Sequence, residues 1–198
     1  MPQVSLSEMV SALNSALTAS PTLVSFPTDT VPALATRPTQ AGLIFAAKRR
    51  PPEKPLILMG ASFEDLRLYI RGSETELVSW RSHTAQHWPG QLTLVLPASH
   101  HAPTNLNPLS TGTLGIRVPN HPIALQLLAQ TGPLATTSAN LSGQPPLTTA
   151  ADITQVFPTA LTLPPQDYSQ SQSSGQPSTV AQWTSSGWQI LRQGKIHL

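Results

Sequence analysis

Positive charge is concentrated in one short stretch of this sequence. Four of its eleven Lys and Arg residues, namely Lys48, Arg49, Arg50 and Lys54, lie in the nonapeptide AKRRPPEKP at residues 47–55. Such a cluster can be a solvated surface patch, a contact for nucleic acid or the wall of a site that holds a small polyanion. In the last case Lys and Arg supply both charge and hydrogen-bond donors to phosphate and carboxylate groups.

Hydroxyl, amide and further basic side chains recur where predicted strands begin or end. They lie in PTDT (27–30), around Thr113 and Arg117, in TTSANLSG (136–143), in PSTV (177–180) and at Arg192. Ligands of open α/β sheets gather at strand ends, and these groups are the ones that bind phosphates and carboxylates. Each segment alone is equally typical of a turn. Together they predict a site for an anionic ligand.

Several kinds of chemistry are excluded by what the sequence lacks. It contains no cysteine, which excludes thiolate nucleophiles, thiolate metal sites and a disulfide framework. It also lacks the G-x-x-x-x-G-K-[ST], G-x-G-x-x-G, H-E-x-x-H and G-x-S-x-G motifs. His100 and His101 have no third ligand at a useful spacing, so we interpret them as part of a polar loop.

Acidic residues are missing from a long central segment. None lies between Glu76 and Asp152, whereas Arg81, Arg117 and five histidines do. Such a segment does not repel an anionic ligand. The alternative is that a chain with 10% charged residues simply has few acids to place.

The order of elements that must position these groups predicts one α/β domain over residues 1–198, built around a single sheet. Helices are predicted at 6–17, 39–49, 63–70, 74–87, 122–129 and 150–157, the first with Ser5 and Glu8 at capping-box spacing. Strands are predicted at 22–26, 56–59, 92–96, 114–118, 133–137, 160–163 and 179–183, and PTDTVPALATRP is predicted to be a loop. Residues 164–177 are Ser/Gln-rich with little to bury, which predicts a mobile loop that acts as a lid.

The N-terminus does not have the pattern of a signal peptide, and no apolar run approaches bilayer length. We therefore expect a soluble, cytoplasmic protein without a membrane partner.

Taken in order, the segments resemble the YrdC family of threonylcarbamoyl-AMP synthases. The matching segments are PTDTV, KRRPPEKPL, WPGQLTLVLPA, LGIRVPNHP, TTSANLSGQPP, STV and ILRQGK, between residues 27 and 195. The resemblance implies a twisted mixed sheet flanked by helices with a concave basic cavity, in the single-domain form of the family.

The resemblance also implies an activity. L-threonine, bicarbonate and ATP, with Mg²⁺ accompanying the ATP, would give threonylcarbamoyl-AMP and pyrophosphate. The product would pass to the tRNA threonylcarbamoyl transferase complex, which modifies the adenosine beside the anticodon.

Site residues follow from the resemblance position by position. The family's K-x-R and S-x-N elements match Lys48, Arg50, Ser138 and Asn140, which would be catalytic. ATP would be held by Arg50, Lys54, Thr113, Ser138 and Arg192, and threonine by Thr30, Arg117, Thr136 and Ser178. No residue is assigned as a metal ligand. Lys48 and Arg50 would face phosphates and anionic intermediates, with Arg49 pointing to solvent.

The departures from the family pattern bear on recognition of the amino acid. Family members usually have Tyr and Gly where this chain has Pro32 and Ala33, often have His in place of Met59, and often have Ser in place of Pro146. Two alternatives stay open: a relative that binds tRNA or double-stranded RNA through the cavity without synthase activity, and an enzyme with a different carbamoyl acceptor or donor. Relatives that mature carbamoyltransferases need zinc-finger and acylphosphatase-like domains, for which this chain has neither length nor cysteines.

Overall fold

The strand segments pair into one mixed sheet in the computed structural model, which describes residues 3–15, 21–168 and 173–198. Within these residues the strands are β1 (Val24–Phe26), β2 (Ala33–Thr36), β3 (Ile57–Met59), β4 (Leu92–Pro97), β5 (Thr113–Arg117), β6 (Leu134–Ser138), β7 (Leu161–Thr162), β8 (Thr179–Thr184) and β9 (Gly187–Arg192). Their order is β7-β1-β2-β6-β3-β5-β4-β8-β9. The pairs β1–β7, β3–β5 and β4–β8 are parallel, and the other neighbours are antiparallel. The predicted α/β class with a mixed sheet is confirmed.

Helices flank the sheet at the predicted places. They are α1 (Leu6–Ser15), α2 (Gly42–Lys48), α3 (Phe63–Arg67), α4 (Glu74–His87), α5 (Pro122–Thr131) and α6 (Ala150–Val156). The capping box of α1 is confirmed, because the Ser5 amide donates to Glu8 Oε2 at 2.7 Å and the Glu8 amide to Ser5 Oγ at 3.3 Å. Residues 16 and 17 of the predicted first helix lie outside the described residues.

Buried apolar side chains of the strands and helices form the core. Val24 and Phe26 of β1, Leu34 of β2 and Trp80 of α4 have no exposed surface. Removing side chains of this size from water is the main stabilising contribution, about 1.5–3 kcal/mol for each aliphatic or Phe side chain. No helix of the described residues is both long and apolar enough to cross a membrane.

Two strands were not predicted. β2 lies in the segment predicted to be a loop, and all four of its residues are buried, so it lacks the alternation that reveals a half-exposed strand. Pro32 directly precedes it, where a missing amide is tolerated. β9 forms a hairpin with β8 through a turn in which Gly187 has a φ of 99°, a conformation that favours glycine.

Two predicted helices are shorter than expected. α3 ends at Arg67 rather than 70, because the chain then turns and Ile70 forms an isolated bridge with Ala98. α2 begins at Gly42 because Pro38–Gln40 form a separate 3₁₀ turn.

Both described ends of the segment 164–177 are attached to the domain, which corrects the expectation that it buries little. Pro165–Tyr168 form a 3₁₀ turn. Tyr168 is buried, and its hydroxyl donates to the Ser25 carbonyl at 2.7 Å. The part of the lid prediction that falls on residues 169–172 lies outside the described residues.

Candidate active site

Two adjoining cavities open on the sheet and share part of their walls. The first has a volume of about 260 Å³ and the second about 450 Å³. Residues lining both are Arg50, Pro55, Ile57 and Arg192. The first cavity also contacts Thr30, Lys54, Arg117, Thr136, Ser138 and Ser178, and the second contacts Thr113. The structure therefore brings nine of the expected site residues to one place, from six strands or their flanking loops.

Arg117, the last residue of β5, is held in place by three hydrogen bonds. Its Nε donates to the Gly90 carbonyl at 3.0 Å, its Nη1 to Thr30 Oγ1 at 3.0 Å and its Nη2 to Asp29 Oδ1 at 2.8 Å. A guanidinium has five N–H donors, so one remains on each Nη atom. Burial lowers the pKa of Arg117, the Asp29 charge opposes this shift and the Arg192 charge adds to it. The remaining pair of donors suits a carboxylate.

The Thr30 hydroxyl is polarised by its neighbours. Thr28 Oγ1 donates to the Val31 carbonyl at 2.7 Å, so its 3.0 Å contact with Thr30 Oγ1 must use the hydrogen of Thr30. Thr30 Oγ1 also accepts from Arg117, which leaves it one lone pair. Thr136 Oγ1 likewise donates to a main-chain carbonyl of β3 at 3.1 Å. Both hydroxyls can therefore only accept a hydrogen bond from a ligand.

Arg50 and Arg192 lie where the two cavities meet, and each is fixed by the main chain. Arg50 donates from Nε to the Lys54 carbonyl at 2.7 Å and from Nη2 to the Pro55 carbonyl at 2.9 Å. Arg192 donates from Nε to the Ser178 carbonyl at 2.9 Å and from Nη2 to Ser178 Oγ at 3.2 Å. Burial lowers the pKa of both groups. Each keeps three N–H donors for a ligand.

Ser178 is positioned by the close approach of the chain after β9. A Cβ on Gly194 would lie 2.5 Å from the Thr179 amide nitrogen and 2.7 Å from the Pro177 carbonyl oxygen. Glycine is needed there because any side chain would push this backbone away. Ser178 Oγ also contacts Thr93 Oγ1 at 2.8 Å.

Lys48 and Asn140, in contrast, are not among the described residues that line either cavity. The Lys48 ammonium donates to the Ser138 and Asn140 carbonyls and, at 3.1 Å, to Asn140 Oδ1. All three of its donors are thus spent within the protein. This corrects the expectation that Lys48 faces phosphates: it holds the turn that carries Ser138, whose hydroxyl donates to Asn140 Oδ1. Burial, and to a smaller extent the Arg50 charge, lowers the pKa of Lys48 to about 7.

The residue between Lys48 and Arg50 explains why these two side chains have different surroundings. Arg49 ends α2 with a φ of 50°, the left-handed conformation that often closes a helix. This change of direction separates Lys48, which has 1% of its surface exposed, from Arg50 in the cavity wall. Arg49 itself is exposed, as predicted.

Two of the departures from the family pattern line the first cavity. Met59 and Ala33 contribute to its wall, together with Val31 and Ile57. Met59 pairs with Arg117 in the β3–β5 register. Met59 therefore adds an apolar side chain to the wall that contains Arg117.

Asp29 is the site residue that sequence reasoning missed. It is buried and forms one of the two ion pairs among the described residues. Its partner Arg117 is 88 positions away, so no local spacing reveals the pair. The available signal was its position in PTDT, a segment already predicted to belong to the site.

Residues 173–175 contact the backbone of the PTDT segment. The Ser174 amide donates to the Asp29 carbonyl at 3.0 Å, and the Gly175 amide to the Thr30 carbonyl at 2.9 Å. Ser173 Oγ also donates to the Thr30 carbonyl. Residues 173–175 thus form a strap across the backbone of the PTDT segment.

A family model covers nearly the whole chain. The Sua5_yciO_yrdC model, described as "Telomere recombination", matches residues 17–194. The chain belongs to the Sua5/YciO/YrdC family. The resemblance seen in the ordered motifs is therefore confirmed.

Several curated relatives carry the name threonylcarbamoyl-AMP synthase. The protein of Klebsiella pneumoniae is 39% identical over 142 residues, which cover 68% of this chain and 72% of that protein. The protein of Pyrococcus abyssi is 39% identical over 141 residues, 68% of this chain but 40% of that longer protein.

Solved structures agree with the fold of this family. P. abyssi Sua5 in complex with L-threonine superposes with a TM-score of 0.80 at 31% identity, over 96% of this chain and 55% of that one. Escherichia coli YciO superposes with a TM-score of 0.78 over 98% of this chain and 93% of that one. At 22% identity YciO supports the fold alone.

Proposed function

We propose that this chain is a threonylcarbamoyl-AMP synthase. The observation that carries the proposal is the placement of three arginines with unspent donors around connected cavities: Arg117 at one end, and Arg50 with Arg192 at the junction. A carboxylate and a polyphosphate can therefore be held at the same time. Relatives that carry this enzyme's name, and a relative solved with L-threonine, support the assignment.

The first cavity is complementary to an α-amino acid. The two remaining N–H groups of Arg117 would hold the carboxylate in a bidentate manner. Thr30 Oγ1 and Thr136 Oγ1, which can only accept, would receive N–H bonds from the amino group. Bicarbonate and the amine would condense to a carbamate with loss of water, which leaves one N–H for these acceptors.

Arg50 and Arg192 would then act on the phosphates. A carbamate oxygen forms a bond to the α-phosphorus of ATP, the bond from that phosphorus to the bridging oxygen breaks, and pyrophosphate leaves with the electron pair. An anion attacks a polyanion in this step, so positioning and charge neutralisation are the main demands on the protein. Six unspent donors on two fixed guanidinium groups meet them without a nucleophilic side chain.

Magnesium is expected to enter as part of the substrate. The described lining residues offer hydroxyl oxygens such as Ser138 Oγ but no carboxylate, and the described residues contain no cluster of three acidic or histidine side chains that could hold a metal. Mg²⁺ is commonly bound largely through substrate phosphates. These residues therefore fit an ion that arrives with ATP and adds to the neutralisation of its charge.

The expected product, threonylcarbamoyl-AMP, is a mixed anhydride, and such a compound is suited to transfer its threonylcarbamoyl group. We expect the adenylate to be consumed by the tRNA threonylcarbamoyl transferase complex in the cytoplasm. Direct binding of tRNA or double-stranded RNA through the cavities has less support, because none of the described lining residues is an aromatic side chain on which a base could stack.

The test is an assay of the purified protein with ATP, bicarbonate and each of several amino acids, followed by mass spectrometry of the adenylate. We expect threonylcarbamoyl-AMP and pyrophosphate only when threonine and bicarbonate are both present. Release of ADP and phosphate would refute the adenylating mechanism. Salt-dependent binding of RNA without any adenylate would favour the RNA-binding alternative.

A further inference from the structure

Asp29 is a buried carboxylate outside the two cavities. It has 5% of its surface exposed and is not among the described residues that line them. Its Oδ1 accepts from Arg117 Nη2 at 2.8 Å. Its Oδ2 has no hydrogen-bond partner among the described residues. An ionised carboxylate is costly to bury, so its retention beside the cavity calls for an explanation.

The geometry around Arg117 supplies that explanation. A guanidinium can rotate about its side-chain bonds unless several donors are tied, and here Nε and both Nη atoms each have one partner. Gly90 and Thr30 provide neutral acceptors, whereas Asp29 provides the only formal charge among the three. Asp29 thus fixes the orientation of the fork and compensates its charge when no ligand is bound.

Asp29 is itself held by the surrounding chain. Its carbonyl accepts from Gln91 Nε2 at 2.9 Å and from the Ser174 amide at 3.0 Å. The carboxylate therefore lies where the PTDT segment, the entry to β4 and the strap at 173–175 meet. Its position is determined by main-chain contacts that do not depend on the ligand.

We propose that Asp29 is a positioning residue that acts through Arg117 to set the affinity of the site for the amino-acid carboxylate. This rests on the proposed function and deepens it. Asp29 contacts neither substrate, and it leaves Arg50 and Arg192 at the phosphate end unaffected. Its removal should weaken threonine binding in the ground state and the transition state alike, which raises KM for threonine without a matching loss of kcat.

The first test is Asp29→Asn, which keeps the size and one acceptor oxygen but removes the charge. We expect threonine affinity, measured both as KM and by calorimetry, to fall by about 10-fold or more, while KM for ATP and kcat stay within about twofold. The matched control is Glu64→Gln, which breaks the exposed ion pair with Arg81 and should change neither constant. Equal changes in the constants for threonine and ATP would overturn the proposal.

The second test is a mutant cycle with Arg117→Met. If Asp29 acts only through Arg117, Asp29→Asn should change threonine affinity by less than about twofold in the Arg117→Met background. A further loss of about fivefold or more there would overturn the proposal. Folding of both variants in this comparison is checked by urea unfolding, because Arg117→Met alone leaves Asp29 as an unpaired buried charge.

Failure of the proposed function is distinguishable from failure of this inference. A wild-type protein that binds threonine but forms no adenylate would refute the enzyme and leave the calorimetric test of Asp29 intact. A wild-type protein that does not bind threonine would refute both.

Discussion

Substitution of Lys48 by Met tests whether Lys48 holds the site together or contacts the substrate. Met keeps most of the length of the side chain but removes the three donors to the Ser138 carbonyl, the Asn140 carbonyl and Asn140 Oδ1. The Ser138 carbonyl keeps the Asn140 amide as a donor and Asn140 Oδ1 keeps the Ser138 hydroxyl, so the Asn140 carbonyl is the acceptor left without a partner among the described residues. An orphaned acceptor costs about 1–3 kcal/mol. Loss of the other two charge-assisted hydrogen bonds adds to this cost, whereas the ammonium no longer has to be buried, and we expect a net loss of about 2 kcal/mol.

Urea unfolding measures this loss, and Arg50→Met is the matched comparison. For a slope of about 2 kcal/mol/M, the Lys48→Met midpoint should fall by about 1 M. Arg50 is only partly buried and donates to two carbonyls near the surface, so its replacement should shift the midpoint much less and act mainly on turnover. An unchanged midpoint for Lys48→Met, together with the same loss of turnover as in Arg50→Met, would show that Lys48 faces the substrate after all.

Two further predictions concern the same basic cluster. Arg50→Ala should lower turnover by about 10²-fold, the scale of losing one preorganised donor, whereas Arg49→Ala should stay within about twofold because Arg49 is exposed; equal losses in a steady-state assay would indicate a diffuse basic patch. The pKa of Lys48, lowered to about 7 from 10.5, means that between these pH values the unfolded chain binds the extra proton. The unfolding free energy of the wild type should therefore rise from pH 7 to pH 10 relative to that of Lys48→Met, and parallel profiles in urea titrations would contradict the lowered pKa.

Sequence patterns predicted most elements because the helices have a visible period and most strands are short apolar or β-branched runs bounded by turn residues. They failed at β2, whose four residues are all buried and include two alanines, which are depleted in strands, and at β9, which depends on the turn at Gly187. The residues gathered at the cavities were predicted by ordered motifs. Their individual contacts were not: Lys48 and Arg50 have the same charge two positions apart, and only the left-handed φ of Arg49 sends them in different directions.

Contacts between residues that are far apart in the sequence are the second feature that the sequence patterns could not predict. In the sheet β1 and β5 are separated by β2, β6 and β3, so the contact between Asp29 and Arg117 is made by the loop after β1 and not by neighbouring strands. A single acidic residue in a hydroxyl-rich motif gives no sign of which cation it will meet. The sequence could therefore predict a site for an anion but not how the anion-binding groups are held.

The described cavity walls contain no carboxylate, and this agrees with how the arginines are held. Arg50 and Arg192 have no carboxylate partner among the described residues, and main-chain carbonyls or a serine hydroxyl fix them instead. Neutral acceptors orient a guanidinium without cancelling its charge, so the full charge stays available to a triphosphate. Arg117 does have a carboxylate partner, Asp29, and its expected ligand is a single carboxylate. Acidic residues at lining positions such as Thr93, Thr113 and Ser138 would compete with the phosphates for Arg50 and Arg192, which is a physical reason for the absence of acids from the described cavity walls.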